Sequence, residues 1–443
     1  MTRILLKGGC VLTLGARSPN LRSGDVLIED TIVAEVGVGL RARDAEQIDA
    51  TDTIVMPGFV DTHRHAWISL FRNLGDRASD GRAPAETERL GDHFGPEDVY
   101  AATLIGLLGA AEAGITTVVD WSHLRTDDGL AEAALRAHAD AGLRSVFVHV
   151  PHGAKERDAS SATRQHVARL ADGAGALTTI AVGADLSATT DLGGMAENWA
   201  VARELGVRIH VHGSSERWGR GVITALAERK LLGDDVTLVH RSELDDADLD
   251  AIESSGASVS LSPSSEMASG PGSPPIQQLI DHGIRPGLGI DDERVAPGDM
   301  FAQMRATISL QHATVFDRKL SGKAGLPRLM STRDVIRFAT VDGARVAGVG
   351  RETGSIEPGM QADIILLRTD RPNIFPINDP IGAVVWGMDT SNVDRVFVAG
   401  RHLMRDGVLE ANVERARDLA AAAQHRVATA AGLAAVAAPG GER

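Results

Sequence analysis

Two textures of hydrophobic patterning divide the chain. Residues 1 to about 55 alternate apolar and polar side chains in short pieces, ILLKGGCVLTL, GDVLIED and TIVAEVG, punctuated by Gly and Asp. A period of two predicts short antiparallel strands. The same texture returns late, in ADIILLR from Ala362 and VDRVFVAGRHLMRDGVLE from Val393. Neither piece carries enough apolar area to stand alone. Residues 1–55 and 349–410 are therefore expected to pair into one small β-sandwich, with everything between them inserted.

The middle, residues 56–348, reads differently. ITTVVDW, LRSVFVHV, LTTIAVGADL, VRIHVHG, DVTLVHR, ASVSLSP and RPGLGID are short, rich in β-branched residues and almost continuously apolar, as strands buried on both faces of a parallel sheet are. Amphipathic stretches such as PEDVYAATLIGLLGAAEAG and GLAEAALRAHADAG lie between them, each ending on a Gly that suits a helix C-cap. With VMPGFVDTHRH as the first strand the count is eight strand–helix units. Eight units predict a closed (β/α)8 barrel of the TIM type, in the α/β class, with reactive groups at the C-terminal strand ends. An open doubly wound sheet is the runner-up, without a Gly-rich phosphate turn after the first strand to support it. Residues 411–443 are Ala-rich and predict a helix packed on a neighbouring element, then a loose tail.

Composition narrows the chemistry. A formal net charge of −15 over 443 residues is the wrong sign for neutralising phosphates or anionic lipid, so nucleic acid and membrane surfaces are excluded as main partners. Neither a signal-peptide core nor a bilayer-length apolar run is present, which reads as a soluble, cytoplasmic protein. A small molecule is the expected partner, and a homodimer or larger homo-oligomer is left open. One Cys against 15 His means that a metal here would be held by imidazole and carboxylate.

Candidate ligands fall at strand ends. The first strand closes in Asp61-Thr62-His63-Arg64-His65, and strand alternation points His63 and His65 the same way while Arg64 points away. Strand five ends in His210-Val211-His212, strand six in His240 and strand eight in Asp291. Three imidazoles and a carboxylate suit a divalent ion such as Zn2+ or Fe2+ with a position open for water. Single histidines of this set could instead be satisfied core residues; all of them meeting at strand ends by chance is improbable.

PGFVDTHRH, the late VHR and GLGID strands, and ATVDGARVAGVGRETGSIEPGMQADIILL together resemble the amidohydrolase superfamily. Within it the chain is most similar to the cytosine deaminase, chlorohydrolase and S-adenosylhomocysteine deaminase branch. The resemblance implies that His63 and His65 are first-strand metal ligands, His212 the fifth-strand ligand, His240 a metal-site or substrate-facing group, and Asp291 both ligand and general base. By parity His210 would serve as well as His212; the choice rests on the resemblance. Two-metal members carry a Lys at the end of strand four, and LTTIAVGADLSATTD has none, which implies one metal, zinc first and iron second.

Two motifs depart from the branch. Its deaminases carry H-x-x-E at strand five, whereas here Ser215 stands at the Glu position and Glu216 follows. Strand seven usually reads H-C-P-x-S-N and here reads Leu261-Ser262-Pro263-Ser264-Ser265-Glu266. Glu216 and Glu266 are thus candidate acids or substrate anchors, weighed against solvated charges at helix starts. Trp67 and His123 are candidate substrate contacts, weighed against packing or support of the ligands. Residues 68–95 are a candidate lid or dimer contact. The primary expectation is a one-metal hydrolase of a non-peptide C–N bond in an amide, urea, carbamate or cyclic amidine. Alternatives are an aminohydrolase of a nitrogen heterocycle or nucleoside-like compound, and an inactive structural relative.

Overall fold

A computed structural model describes residues 2–73, 90–124, 129–150, 159–186, 192–213, 221–240, 244–269 and 273–433. The N-terminal strands are β1 (Arg3–Val11), β2 (Leu21–Glu29), β3 (Ile32–Gly37), β4 (Glu46–Asp49) and β5 (Thr53–Pro57). The barrel strands are β6 (Phe59–Arg64), β7 (Ile115–Ser122), β8 (Arg144–His149), β9 (Thr178–Asp185), β10 (Ile209–His212), β11 (Val236–Val239), β12 (Ser258–Leu261) and β13 (Gly287–Leu288). Four more follow: β14 (Ile364–Arg368), β15 (Val393–Val398), β16 (Arg401–Arg405) and β17 (Val408–Leu409).

The chain ends meet as their alternating pattern predicts. β5 pairs antiparallel with β14 from Thr53↔Arg368 to Pro57↔Ile364, joining both ends in one nine-stranded sheet. Its apolar face gathers Ile4, Leu6, Val26, Ile28, Val55, Ile364, Leu366 and Phe397 into a core of its own. VMPGFVDTHRH is two strands instead of one: β5 belongs to this sheet, and the barrel starts only at Phe59.

β6 to β13 form an eight-stranded parallel sheet in sequential order. It closes at its mouth, where the Asp291 amide donates to the His63 carbonyl at 2.8 Å and the His65 amide to the Asp291 carbonyl at 3.1 Å. This is the TIM-type barrel. Gly289 permits the closure, because a Cβ there would sit 2.9 Å from the backbone N and O of His63. Val60, Val119, Trp121, Val146, Val148 and Ala181 fill part of the interior together with Ala344 and Ala347 of the helix Val341–Ala347. The Ala-rich helix Val413–Ala430 packs on helix Pro96–Glu112 and the 3-10 turn Ala66–Phe71. Gln424 Nε2 donates to the Leu70 carbonyl at 3.0 Å, and the Arg426 guanidinium pairs with Asp98. Among the described residues no helix is long and apolar enough to cross a membrane.

Candidate active site

The mouth of the barrel collects the predicted groups. One ligand atom each from His63, His65, His212 and Asp291 lie within 4.8 Å of one another. Asp291 Oδ1 is 3.3 Å from His63 Nε2, 3.3 Å from His65 Nε2 and 3.4 Å from His240 Nε2. Charge-assisted hydrogen bonds run to about 2.7–2.9 Å; the tetrahedral edge expected for ~2.1 Å metal–ligand bonds is roughly 3.4 Å. The spacing of His63 and His65 from Asp291 suits groups that could share one metal ion. His210 is fully buried one pleat below His212 and outside the cluster.

Supporting contacts aim two of the rings, His65 and His240. His65 Nδ1 bonds the Trp121 carbonyl at 3.0 Å, which turns Nε2 inward. Burial holds His63 well below the ordinary imidazole pKa, keeping it neutral with a lone pair to offer. Burial works in the same direction on His240, but Asp291 and Glu266 outweigh it and raise that imidazole to about 10. Burial alone would raise the Asp291 carboxyl; the facing His240, His63 and His65 hold it well below the carboxylate range. The backbones of His240 and Asp291 are left-handed, with φ of 58° and 64°, so both side chains leave the strand alternation and turn into the mouth.

Glu266 is neither solvated nor at the rim. It lies in the first turn of helix Pro263–Ser269 at 1% exposure. Its Oε1 accepts from the Ser262 amide at 2.9 Å and from His240 Nδ1 at 3.0 Å. His123 stacks on His65 with ring centroids 4.8 Å apart, and its Nδ1 accepts from Trp121 Nε1 at 3.2 Å. Trp67 is a core residue, 4% exposed and edge-on to Phe94. Glu216 and residues 74–89 of the candidate lid lie outside the described residues.

Sequence reasoning missed several participants. Ser265 Oγ donates to Asp291 Oδ2, and its only signal was its place beside Glu266 in the altered strand-seven motif. Asp120 accepts from the Ala66 amide at 2.9 Å and from His138 Nε2 at 2.8 Å, steadying the turn after His65. Arg64, read only as pointing away, is fully buried between carboxylates.

Residues 54–403 match the amidohydrolase family. The chain belongs to the amidohydrolase family. A 5'-deoxyadenosine deaminase of Methanothermobacter thermautotrophicus is 30% identical over 433 residues, 93% of this chain and 95% of that one. A 5-methylthioadenosine/S-adenosylhomocysteine deaminase of Symbiobacterium thermophilum is 28% identical over 432 residues, covering 92% and 94%. Among solved structures, an adenosine deaminase from Xanthomonas campestris with bound zinc superposes with a TM-score of 0.84 at 20% identity, covering 97% of this chain and 99% of that one. An atrazine chlorohydrolase from Arthrobacter aurescens complexed with zinc gives 0.81 at 22%, covering 95% and 100%. Amidohydrolases are metal-dependent enzymes acting on C–N bonds of small molecules, and in this amidohydrolase three imidazoles and a carboxylate lie close enough together to hold such an ion.

Proposed function

We propose that this amidohydrolase is a one-metal aminohydrolase that adds water to an amino-bearing carbon of a nitrogen heterocycle or nucleoside-like compound and releases ammonia. One observation carries the reading: a single carboxylate oxygen, Asp291 Oδ1, stands 3.3–3.4 Å from three imidazole nitrogens in a chain similar along nearly its whole length to nucleoside deaminases. His63, His65, His212 and Asp291 would hold the ion, zinc before iron given the nitrogen-rich set. A divalent ion bound there supplies Lewis acidity and brings the pKa of water toward neutrality. Asp291 takes the proton of the attacking water and returns it to the departing nitrogen. His240, held through Nδ1 by Glu266, offers Nε2–H to the oxygen on which charge develops. His123 stacks on His65 and keeps its ring in place.

A second reading, hydrolysis of an amide, urea or carbamate, draws on the motifs where the sequence departs from what the resemblance leads one to expect, with Ser215, Leu261 and Glu266 at the positions expected to be Glu, His and Asn. Ammonia release across purines, pyrimidines, pterins and triazines, with Asp291→Asn as the blank, separates the two. Turnover of a ring amine that is lost in the blank supports the aminohydrolase. Turnover confined to open-chain amides, ureas or carbamates overturns it.

A further inference from the structure

Behind the metal-binding corner lies a buried charge network that the reaction scheme above does not use. Arg64 is fully buried. Its Nε donates to Asp61 Oδ2 at 2.7 Å, Nη2 donates to the Gly298 carbonyl at 3.1 Å, and Nη1 stands 3.2 Å from Glu293 Oε2. Asp61 Oδ1 in turn accepts from the amides of Ile290 at 3.0 Å and His63 at 3.3 Å, so this carboxylate binds the first and last barrel strands together beside Asp291. Glu293 continues the network to the other side. It accepts from Ser69 Oγ at 2.6 Å and from Arg72 Nε and Nη2 at 3.0 and 3.1 Å, and its backbone carbonyl accepts from the Asn73 amide at 3.3 Å. Gly298 leaves room for it, since a Cβ at 298 would fall on the Glu293 carboxylate.

We propose that Glu293 is a positioning residue for Asp291, tying the metal-binding corner to residues 69–73 that follow the first barrel strand. Asp291 has a left-handed backbone, which a non-glycine residue keeps only where its surroundings over-determine it. His63 and His65 clamp its amide and carbonyl on one side. On the other side the turn Asp292–Gly298 is held by Glu293 and by the Arg64 bond to Gly298. Two balanced pairs, Asp61 with Arg64 and Glu293 with Arg72, leave no buried charge uncompensated. Removing the Glu293 charge takes the Nη1 partner from Arg64, which keeps Asp61 and Gly298, and the ion-pair partner from Arg72, so the turn after Asp291 loses its tie to residues 69–73 and the Asp291 carboxylate its fixed aim at the three imidazoles.

The proposal rests on the one-metal reading, and zinc affinity of the folded protein tests the two separately. Zn2+ binding is measured by competition with a chromogenic chelator for the wild-type chain, Glu293→Gln, Arg72→Met and the double variant, with thermal unfolding alongside. Partners that orient metal ligands are worth about 10–100-fold in affinity, and Glu293→Gln is expected to weaken zinc by that factor. Arg72→Met, at a side chain 30% exposed, is expected to weaken it in the same direction, and the double variant no further than Glu293→Gln alone. Should Glu293→Gln fail to fold, Arg72→Met decides alone. Wild-type affinity within twofold in the folded variants, with only a lower unfolding temperature, overturns the positioning role. A wild-type chain that binds no zinc overturns the one-metal reading and the proposal with it.

Discussion

Replacing Glu266 separates support of His240 from contact with substrate. In Glu266→Gln the amide oxygen can still accept from the Ser262 amide and His240 Nδ1, the two donors now 2.9 and 3.0 Å from Oε1, but the charge is gone. Hydrogen bonds to charged groups contribute about 1.5–3 kcal/mol, roughly twice the neutral kind, so the loss at His240 is about 1–1.5 kcal/mol. At about 1.4 kcal/mol per tenfold, kcat should fall roughly 5- to 12-fold, while the new amide NH2, placed where Oε2 is buried without a hydrogen-bond partner, should lower stability by about 1–3 kcal/mol. Glu266→Leu instead strands two buried donors at about 1–3 kcal/mol each, and should cost about 2–6 kcal/mol of stability. The assay is steady-state ammonia release on the best substrate from the panel, paired with denaturant unfolding. A Glu266→Gln enzyme whose KM rises while kcat holds would refute the reasoning, because that pattern belongs to a residue touching substrate.

Further expectations follow from packing and burial. Gly289→Ala places a Cβ 2.9 Å from the backbone of His63, so the barrel seam must open; a cost of about 1–3 kcal/mol and weakened zinc binding are expected, and an unfolding curve and zinc affinity equal to wild type would contradict it. His402 packs on Phe397 with ring centroids 4.2 Å apart, and burial first, with Arg405 second, holds its pKa at about 4 against an ordinary 6.5. The folded state therefore favours the neutral ring: this contribution is full above pH 6.5 and is lost as pH falls toward 4. After allowance for solvent screening it is about 1–2 kcal/mol. His402→Leu should flatten urea-unfolding stability between pH 7 and pH 5, and an unchanged slope would count against the assignment.

Much of the scaffold is legible because its pattern is local. Runs buried on both faces mark parallel strands, alternation marks the end sheet, and parity alone puts His63 and His65 on one side. What stays hidden comes from backbone turns and long-range pairing. His240 and Asp291 sit past the strand ends with positive φ, which no hydrophobic period encodes. Arg64 was legible as facing away from the metal side, yet its burial depends on Asp61, three residues before it, and on Glu293, brought close only when the barrel closes. Glu266 looks like a helix-start charge because it is one; that the same turn also seals it against His240 is a consequence of how β11 and β12 lie side by side.

The central claim is that one metal ion sits among His63, His65, His212 and Asp291 and is required for turnover. Elemental analysis of zinc and iron in protein purified without chelator, compared with His212→Ala prepared identically, tests it most directly. The account predicts close to one equivalent per chain in the wild type and near none in His212→Ala, with ammonia release lost in proportion. Two equivalents at full activity, or full activity in metal-free protein, would contradict it.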